Sequence, residues 1–295
     1  MRNLLNRWWL GKEDAIAVDA QESRLIVAVR ALKESGALRV RSMPLSDSLS
    51  MEIQGDSFAS AEEVIGALRE CLVDCDPRYA RLGVSLPTHS TLIANYPEDL
   101  DRPFSDLKRV QEWASCVLAL TEVDYQLRII PYEVNAIHER CVVLATKRGV
   151  VEFWESVAGA LGVELVRIVP RGCALNHTST KRDRGDCLNS IIVIDMTERE
   201  PCIHTFCSSM LVDSTVVSDA GCEANVLRDS DGKRGWDLIE GAKGSAVRIR
   251  CVLSKHQTPE QARLSPRLHS LLSGEVEWLF DESVAARGVL AMIEE

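Results

Sequence analysis

The chain has 295 residues, of which 46% are hydrophobic and 26% charged, and its formal net charge is -10. This is the composition of a folded globular protein, and the length exceeds one typical core of roughly 100–200 residues, so we expect two lobes. The acidic balance argues against a nucleic-acid-binding protein, because phosphate contacts need clustered Lys and Arg.

No apolar run approaches the ~18–20 residues that cross a bilayer, and the N-terminus lacks the apolar stretch and cleavage site of a signal peptide. We therefore expect a cytoplasmic protein. Its ten cysteines are scattered, mostly inside apolar segments. In a reducing compartment such cysteines are small core residues rather than disulfide partners.

The first 87 residues predict a meander, a helix and a further strand. Residues 14–45 contain three strand segments, and Asp19 ends the first of them before a polar turn. Ser60 with Glu63 three residues later is a capping-box signature at the start of a helix, and residues 81–87 return to extended structure. The helix is expected to bury one apolar stripe, which consists of Val64, Ile65, Leu68, Cys71 and Leu72.

Residues 88–149 predict a separate small α+β unit. It contains a helix over 105–120, in which apolar residues recur at helical spacing. Trp113 belongs to this stripe, so we interpret it as a core residue rather than a platform for a ligand. The strand segments around the helix are residues 88–96, 124–132 and 139–147.

The end of the first lobe predicts a helix, a strand and a linker. The helix covers about 150–161, and Gly162 occupies the position of a C-terminal glycine cap. A strand over 164–170 follows, and then a short helical piece around Ala174. The polar run at 176–186 has no apolar periodicity, so we expect it to connect the lobes.

The second lobe repeats the plan of the first. Residues 189–198 contain an apolar strand that ends on Asp195, in the place that Asp19 has in the first lobe. Further strands follow, then a helix with Pro266 at its first position, a short strand and a closing helix. The expected division is lobe 1 at 1–175 with the inserted unit at 88–149, a connection at 176–188 and a reduced lobe 2 at 189–295.

This order of elements resembles the actin-like superfamily, which implies an α/β (mixed α+β) fold class with two duplicated lobes and an insertion in the first. Within the superfamily the chain most resembles PilM, the cytoplasmic protein of type IV pilus assembly, and more distantly the cytoplasmic part of the type II secretion protein GspL. The resemblance covers nearly the whole length and rests on short matches in the right order. These matches are IAVDAQESRLIVAV, LPTHS, VQEWAS, DMTER, RLSPRL and AARGVLAMIEE.

In nucleotide-binding members of that superfamily, two turns hold the phosphates through backbone N–H groups and small hydroxyls, and aspartates manage Mg²⁺ and water. Glycine and serine suit such turns because the backbone must approach an anion closely. Here Gln21 stands where the family has glycine, and Glu22 and Glu198 replace small residues, so these glutamates are expected to oppose phosphate. The vestigial turns keep Asp19, Ser23, Asp195 and Thr197.

The adenosine side of the site also departs from the family pattern. The run at 254–262 contains no glycine, and the family's glycine pair is reduced to Gly221, with only a short span after it. Together with the charged turns, these departures predict a scaffold that has lost nucleotide, so no catalytic residue, cofactor or metal is expected. Binding of ATP with Mg²⁺ by a working actin-like ATPase stays the alternative.

Two further readings of these residues stay open. Asp19 and Asp195 lie at strand ends, where aspartates commonly accept N–H bonds within their own turns. A structural zinc could be held by Cys202, His204 and Cys207, although tetrahedral sites usually present paired ligands on turns. Both alternatives are structural rather than catalytic.

The resemblance to PilM implies a non-catalytic adaptor at the inner face of the bacterial inner membrane. Its implied partner is a PilN-like bitopic membrane protein, whose short cytoplasmic peptide has a pattern like NLLP-W-R. That peptide is expected to bind in a groove between the lobe 1 sheet and residues 88–149. A cytoplasmic pilus motor ATPase and further copies of the chain are additional expected partners, and the cytoplasmic part of a GspL-like protein is another alternative.

The start of the chain, MRNLLNRWWLGK, loosely resembles the partner peptide just described. We therefore hypothesise that it can occupy a groove of its own chain or of a neighbouring copy. Trp8, Trp9 and Arg7 suit a membrane surface equally well, so an interfacial terminus is the competing interpretation.

Overall fold

The structure is a computed structural model of the chain. It describes residues 14–21, 23–31, 37–46, 60–73, 75–96, 107–118, 120, 124–133, 139–183, 191–197, 201–207, 210–216, 248–253 and 276–294. The hypothesis for residues 1–12 and the helix predicted from Ser265 therefore lie outside the described residues. So does the short span after Gly221.

The strands, in chain order, are β1 (Asp14–Gln21), β2 (Arg24–Arg30), β3 (Leu38–Pro44), β4 (Ala80–Leu86), β5 (Thr91–Asn95), β6 (Tyr125–Glu133), β7 (Glu139–Lys147), β8 (Glu164–Pro170), β9 (Ile191–Asp195), β10 (Cys202–Cys207), β11 (Met210–Val216), β12 (Arg248–Leu253) and β13 (Val276–Phe280). The helices are α1 (Ala61–Cys71), α2 (Leu107–Val117), α3 (Arg148–Leu161), α4 (Arg171–Asp183) and α5 (Val284–Glu294).

The chain divides into two compact units, each made of separate stretches of sequence. The first unit comprises residues 1–87, 150–178 and 283–295, and the second comprises 88–149 and 179–282. The inserted residues 88–149 thus group with the later part of the chain, and the closing helix groups with the earlier part. In the described ranges, no helix is long and apolar enough to span a membrane.

The sheet of the first unit has the order β3-β2-β1-β4-β8. Strands β1, β2 and β3 form an antiparallel meander, whereas β1, β4 and β8 run parallel. Every residue of β1 is buried, as expected for a central strand covered on both faces. Helices α1 and α3 cover one face, with a core that includes Ile16, Leu25, Leu68, Leu82 and Trp154.

Helix α5 packs against the sheet of the first unit through two close approaches. A Cβ at Gly83 of β4 would lie 2.6 Å from Val289, and a Cβ at Gly288 would lie 1.8 Å from the carbonyl oxygen of Ala174 in α4. These glycines therefore let α5 sit directly on β4 and against α4. Its last turn is held by Arg81, whose Nη1 donates to the carbonyl of Ile293 at 3.1 Å. A salt bridge joins Arg30 to Glu294.

The second unit repeats the sheet plan of the first. Its five-stranded sheet has the order β11-β10-β9-β12-β13, with an antiparallel meander followed by two parallel pairings. Strand β9 thus corresponds to β1, and Asp195 corresponds to Asp19. This correspondence confirms the duplicated strand plan that the sequence predicted.

Residues 88–149 form the three-stranded sheet β5-β7-β6 with α2 across one face. Trp113 is partly buried and packs against its core, edge-on to Tyr96 with ring centroids 5.0 Å apart. Strand β5 also lies beside β11, where Nδ2 of Asn95 donates to the carbonyl of Val212 at 2.6 Å. The inserted unit thereby flanks the outer strand of the second five-stranded sheet.

Some helix ends differ from the sequence prediction. Gly162 does end α3, with φ of 70° and the bond pattern of a glycine C-cap, because its N–H donates to Gly159 and that of Val163 to Ala158. The capping box at α1 was wrong: the Ser60 side chain makes no cap bond, and Glu63 instead accepts the backbone N–H and hydroxyl of Ser46, each at 2.5 Å.

Helix α4 is longer than expected. The sequence predicted a short helical piece around Ala174 followed by a polar connection, yet the helix runs from Arg171 through Asp183. Three residues near its start are buried, namely Ala174, Leu175 and Asn176. Their packing stabilises the first turns of the helix, and the polar residues that follow extend the same helix.

Candidate functional site

The candidate site in the first unit lies at the carboxyl ends of its three parallel strands. Asp19 on β1 is the register partner of Ser85 on β4. On the next strand, β8 ends at Pro170, and Arg171 begins α4 directly after it. Because parallel strands end at the same edge of a sheet, the fold brings Asp19, Ser85 and Arg171 together.

Asp19 is completely buried and both of its carboxylate oxygens accept hydrogen bonds. Oδ1 forms a salt bridge with Nη1 of Arg171, and neither side chain is exposed to solvent. Oδ2 accepts from Nε2 of Gln21 at 2.9 Å. The oxygen of that same amide accepts from Nε of Arg24 at 2.6 Å. Arg171 and Gln21 thus bond directly to the buried carboxylate, and Arg24 bonds in turn to the Gln21 amide.

The Arg171 side chain balances the charge of Asp19, so the site needs no bound metal ion for charge balance. Burying a charge is costly unless it is paired and hydrogen-bonded, and the pair with Arg171 satisfies that requirement. A divalent cation at Asp19 would meet the positive charge of Arg171 at close range. The chemistry of the site therefore favours an internal ion pair over metal coordination by Asp19.

Gln21 has a defined role in this site. The sequence placed it where the actin-like family has glycine, and the structure places it in β1 with its amide against the Asp19 carboxylate. A glycine at this position would leave the backbone N–H groups accessible to an anion. The Gln21 side chain is instead buried, at 4% exposure, and lies beside the Asp19 carboxylate. Its neighbour Ser23 is exposed in the turn, and its carbonyl accepts the N–H of Leu45 at 2.9 Å.

The corresponding aspartate of the second unit makes a different set of bonds. Asp195 ends β9, is buried, and accepts with Oδ1 from the backbone N–H of Thr197 at 2.9 Å and from its hydroxyl at 2.7 Å. These two bonds form an Asx turn. Asp195 therefore binds within its own turn, as one of the two open readings predicted, while Asp19 bonds to side chains.

The two glutamates that the sequence placed against phosphate, Glu22 and Glu198, lie outside the described residues. Arg171 was not singled out from the sequence at all. Its only local signal is an arginine directly after a strand whose last residue is Pro170, and such a position is compatible with an ordinary surface residue.

Cysteines of the described residues are free thiols, and most are buried: Cys71, Cys75, Cys141, Cys202 and Cys251. Burial raises the pKa of the Cys141 thiol to about 11. Burial, with a smaller contribution from the charge of Asp195, raises the pKa of Cys251 to about 12. These thiols stay neutral at physiological pH and behave as small core residues.

The part of the chain that the structure describes contains no group of three His, Cys, Asp or Glu residues arranged to hold a metal. Nδ1 of His204 lies within hydrogen-bonding distance of the Ser214 hydroxyl on the neighbouring strand. The side chain of Cys207, the third member of the zinc alternative, lies outside what is described.

No protein-family model matches the sequence, and no curated protein matches it. Solved structures match its fold over 95% of the chain. The PilM-PilN type IV pilus biogenesis complex matches with a TM-score of 0.66 and 12% identity, covering 98% of that chain. The cytoplasmic domain of EpsL, an inner membrane component of the type II secretion system of Vibrio cholerae, matches with a TM-score of 0.57 and 11% identity, covering 93% of that chain.

A third match is a protein of unknown function from Bacteroides thetaiotaomicron with an actin-like ATPase fold. Its TM-score is 0.50, with 8% identity and 96% of that chain covered. At these identities the likeness establishes the fold. The chain has the actin-like fold that its order of elements predicted.

Proposed function

We propose that this chain is a non-catalytic scaffold in the assembly platform of a type IV pilus or a related secretion system. In this proposal it lies in the cytoplasm at the inner face of the inner membrane and binds the short cytoplasmic peptide of a PilN-like membrane protein. The observation that carries the proposal is the fold match over nearly the full length of a solved PilM-PilN complex. The match to the EpsL cytoplasmic domain supports the same class of machine.

The surroundings of Asp19 support the non-catalytic part of the proposal. Arg171 and Gln21 already supply the positive charge and the hydrogen-bond donor that a buried carboxylate needs. A Mg-nucleotide would have to compete with these groups for the same oxygens. The predicted opposition of Glu22 and Glu198 to phosphate would weaken nucleotide further.

The proposal is tested by titrating the full chain with a synthetic peptide of the pattern Asn-Leu-Leu-Pro followed by Trp and Arg. Saturable binding with a Kd in the micromolar range, or about -8 kcal/mol, is expected. The matched control peptide replaces both leucines by serine and is expected to bind at least tenfold more weakly. Equal binding of the two peptides, or of neither, would contradict the proposed partner.

A working actin-like ATPase is the second candidate function. It is favoured by the retention of Asp19 and Asp195 at corresponding strand ends of the two sheets. A GspL-like cytoplasmic domain is a further alternative, and the fold match to the EpsL cytoplasmic domain supports it. Contacts with a pilus motor ATPase and between copies of the chain are further proposals, which co-purification and sedimentation would test.

A further inference from the structure

The outer meander strand of the second five-stranded sheet, β11, contains a β-bulge. Its register with β10 pairs Asp213 with Thr205 and then Leu211 with Phe206, so Val212 is an extra residue between the two pairs. The extra residue of a bulge stands outside the regular ladder of strand hydrogen bonds. The backbone of Val212 is therefore free of a fixed partner residue on β10 and can bond elsewhere.

The corresponding strands of the first sheet pair regularly. Strands β2 and β3 hold the places of β10 and β11, and their pairing runs from Arg24 with Pro44 to Arg30 with Leu38 without a shift in register. The bulge is thus a departure from the strand plan that the two sheets share. It occurs in the strand that contacts β5 of the inserted residues 88–149.

Asn95, the last residue of β5, bonds directly to this bulge. Its Nδ2 donates to the backbone carbonyl of Val212 at 2.6 Å, and both residues are only partly exposed to solvent. A backbone carbonyl that is shielded from water needs a hydrogen-bond donor, and a bulge removes the donor that a regular ladder would supply. The Asn95 amide supplies that donor from the inserted residues.

The inserted three-stranded sheet buries apolar side chains on both of its faces. Helix α2 covers one face. On the opposite face, the register places Ile93 beside Leu144 and Asn95 beside Val142, and all three apolar residues of this set are buried. A small sheet standing alone would expose one of these faces to water, so residues 88–149 depend on packing beyond α2 for their stability.

We propose that Asn95 and the bulge at Val212 form a latch, which couples residues 88–149 to β11 so that the inserted sheet and the second five-stranded sheet open and move as one body. The grouping of residues 88–149 with 179–282 in one compact unit supports this coupling. Whichever ligand the chain binds, a ligand that displaces the inserted sheet would then also displace β11.

Hydrogen–deuterium exchange of the full chain, followed by mass spectrometry, tests the latch because strands that open together exchange together. In the native chain, the most protected amides of β5 and β11 are expected to have similar protection factors. Asn95→Ala should speed exchange in both strands by about three- to tenfold, as expected for the loss of one hydrogen bond. The matched control is Gln126→Ala on β6, an exposed amide side chain on the same face of the inserted sheet, which should change neither strand.

A second variant, Asn95→Asp, keeps the shape of the side chain and removes its donor. An ionised carboxylate only accepts hydrogen bonds, so it cannot bond to the Val212 carbonyl. At pH 7, exchange in β5 and β11 should be about tenfold faster than in the native chain. The difference from the native chain should shrink as the pH falls through about 4, where the carboxyl gains a proton that it can donate.

Three results would overturn the latch. The first is a native chain in which β5 already exchanges about tenfold faster than β11, because the two strands would then open separately. The second is an effect of Asn95→Ala that is absent or confined to β5. The third is an Asn95→Asp difference that low pH does not reduce, since a loss of packing alone would not respond to protonation in this way.

Discussion

Arg171 and Asp19 form a salt bridge between residues 152 positions apart in sequence, with both side chains fully excluded from solvent. The pair joins the carboxyl end of β1 to the first residue of α4. It also determines how the charge of Asp19 is balanced, which bears on both the stability of the first unit and its capacity for nucleotide.

Breaking this pair from one side should strongly destabilise the protein. We expect Arg171→Met to lower the free energy of unfolding by about 3–5 kcal/mol, because it leaves an unpaired buried carboxylate. The double variant Asp19→Asn with Arg171→Met should recover part of that loss, since neither charge remains. Urea denaturation measures both effects. The exposed pair Lys108 and Glu112 provides the control, and Lys108→Met should cause a far smaller change.

Titration with Mg-ATP and Mg-ADP should give no saturable heat with the native chain. One reason is that Arg171 and Gln21 already donate hydrogen bonds to the Asp19 carboxylate. The other is that Glu22 and Glu198 are predicted to repel the phosphate groups electrostatically. Calorimetry at concentrations where a micromolar site would be obvious provides the measurement. The variant Glu22→Ser with Glu198→Ser tests whether the glutamates alone prevent binding. Saturable micromolar binding by the native chain would instead favour the ATPase candidate.

Gly288→Ala should destabilise the first unit by about 1–3 kcal/mol or more, because its new Cβ would overlap the carbonyl oxygen of Ala174 and force α5 and α4 apart. Gly66→Ala in α1 is the matched control, since a Cβ there meets nothing within 4 Å. That control should stabilise the protein by about 0.5–1 kcal/mol through helix propensity. Urea melts that move both variants in the same direction would contradict the close crossing of α4 and α5.

The buried thiol of Cys251 should make the protein less stable in alkali. Its pKa is about 12 in the folded state, against an ordinary value of 9.0, so the unfolded chain releases this proton first as the pH rises. The stabilising effect is complete below about pH 9 and is then lost by about 1.4 kcal/mol per pH unit. Cys251→Ala should flatten the fall in unfolding free energy between about pH 9 and 11.

The strand plan could be predicted because buried strands are continuous apolar runs that end on recognisable polar residues. Asp19 and Asp195 marked the two corresponding strands from the sequence alone. The bond from Arg171 to Asp19 could not be predicted, because the two residues lie 152 positions apart and only the parallel pairing of β1, β4 and β8 brings them close. One hydrogen-bond partner of Asp195, Thr197, is two residues away, and the interpretation of Asp195 as an acceptor within its own turn predicted that bond.

The misassigned capping box has a physical explanation of the same kind. Ser60 and Glu63 have the spacing of a capping box, and Ser60 does precede α1. The Glu63 carboxylate instead accepts a hydrogen bond from Ser46, which follows the meander and lies beside the start of the helix. A local signature thus located the helix start correctly, whereas a tertiary contact decided its hydrogen bonds.

The close packing of α5 against Gly83 affects the order in which parts of the protein can fold during synthesis. One face of the first sheet is covered by a helix near the end of the sequence, while the strands it covers are near the beginning. During synthesis, the face of β1 and β4 that α5 covers must therefore stay exposed until residues 284–294 have left the ribosome. The first unit, although most of its strands are translated early, can therefore complete its fold only after this helix has been made. We expect chaperones to bind nascent chains that end before residue 284.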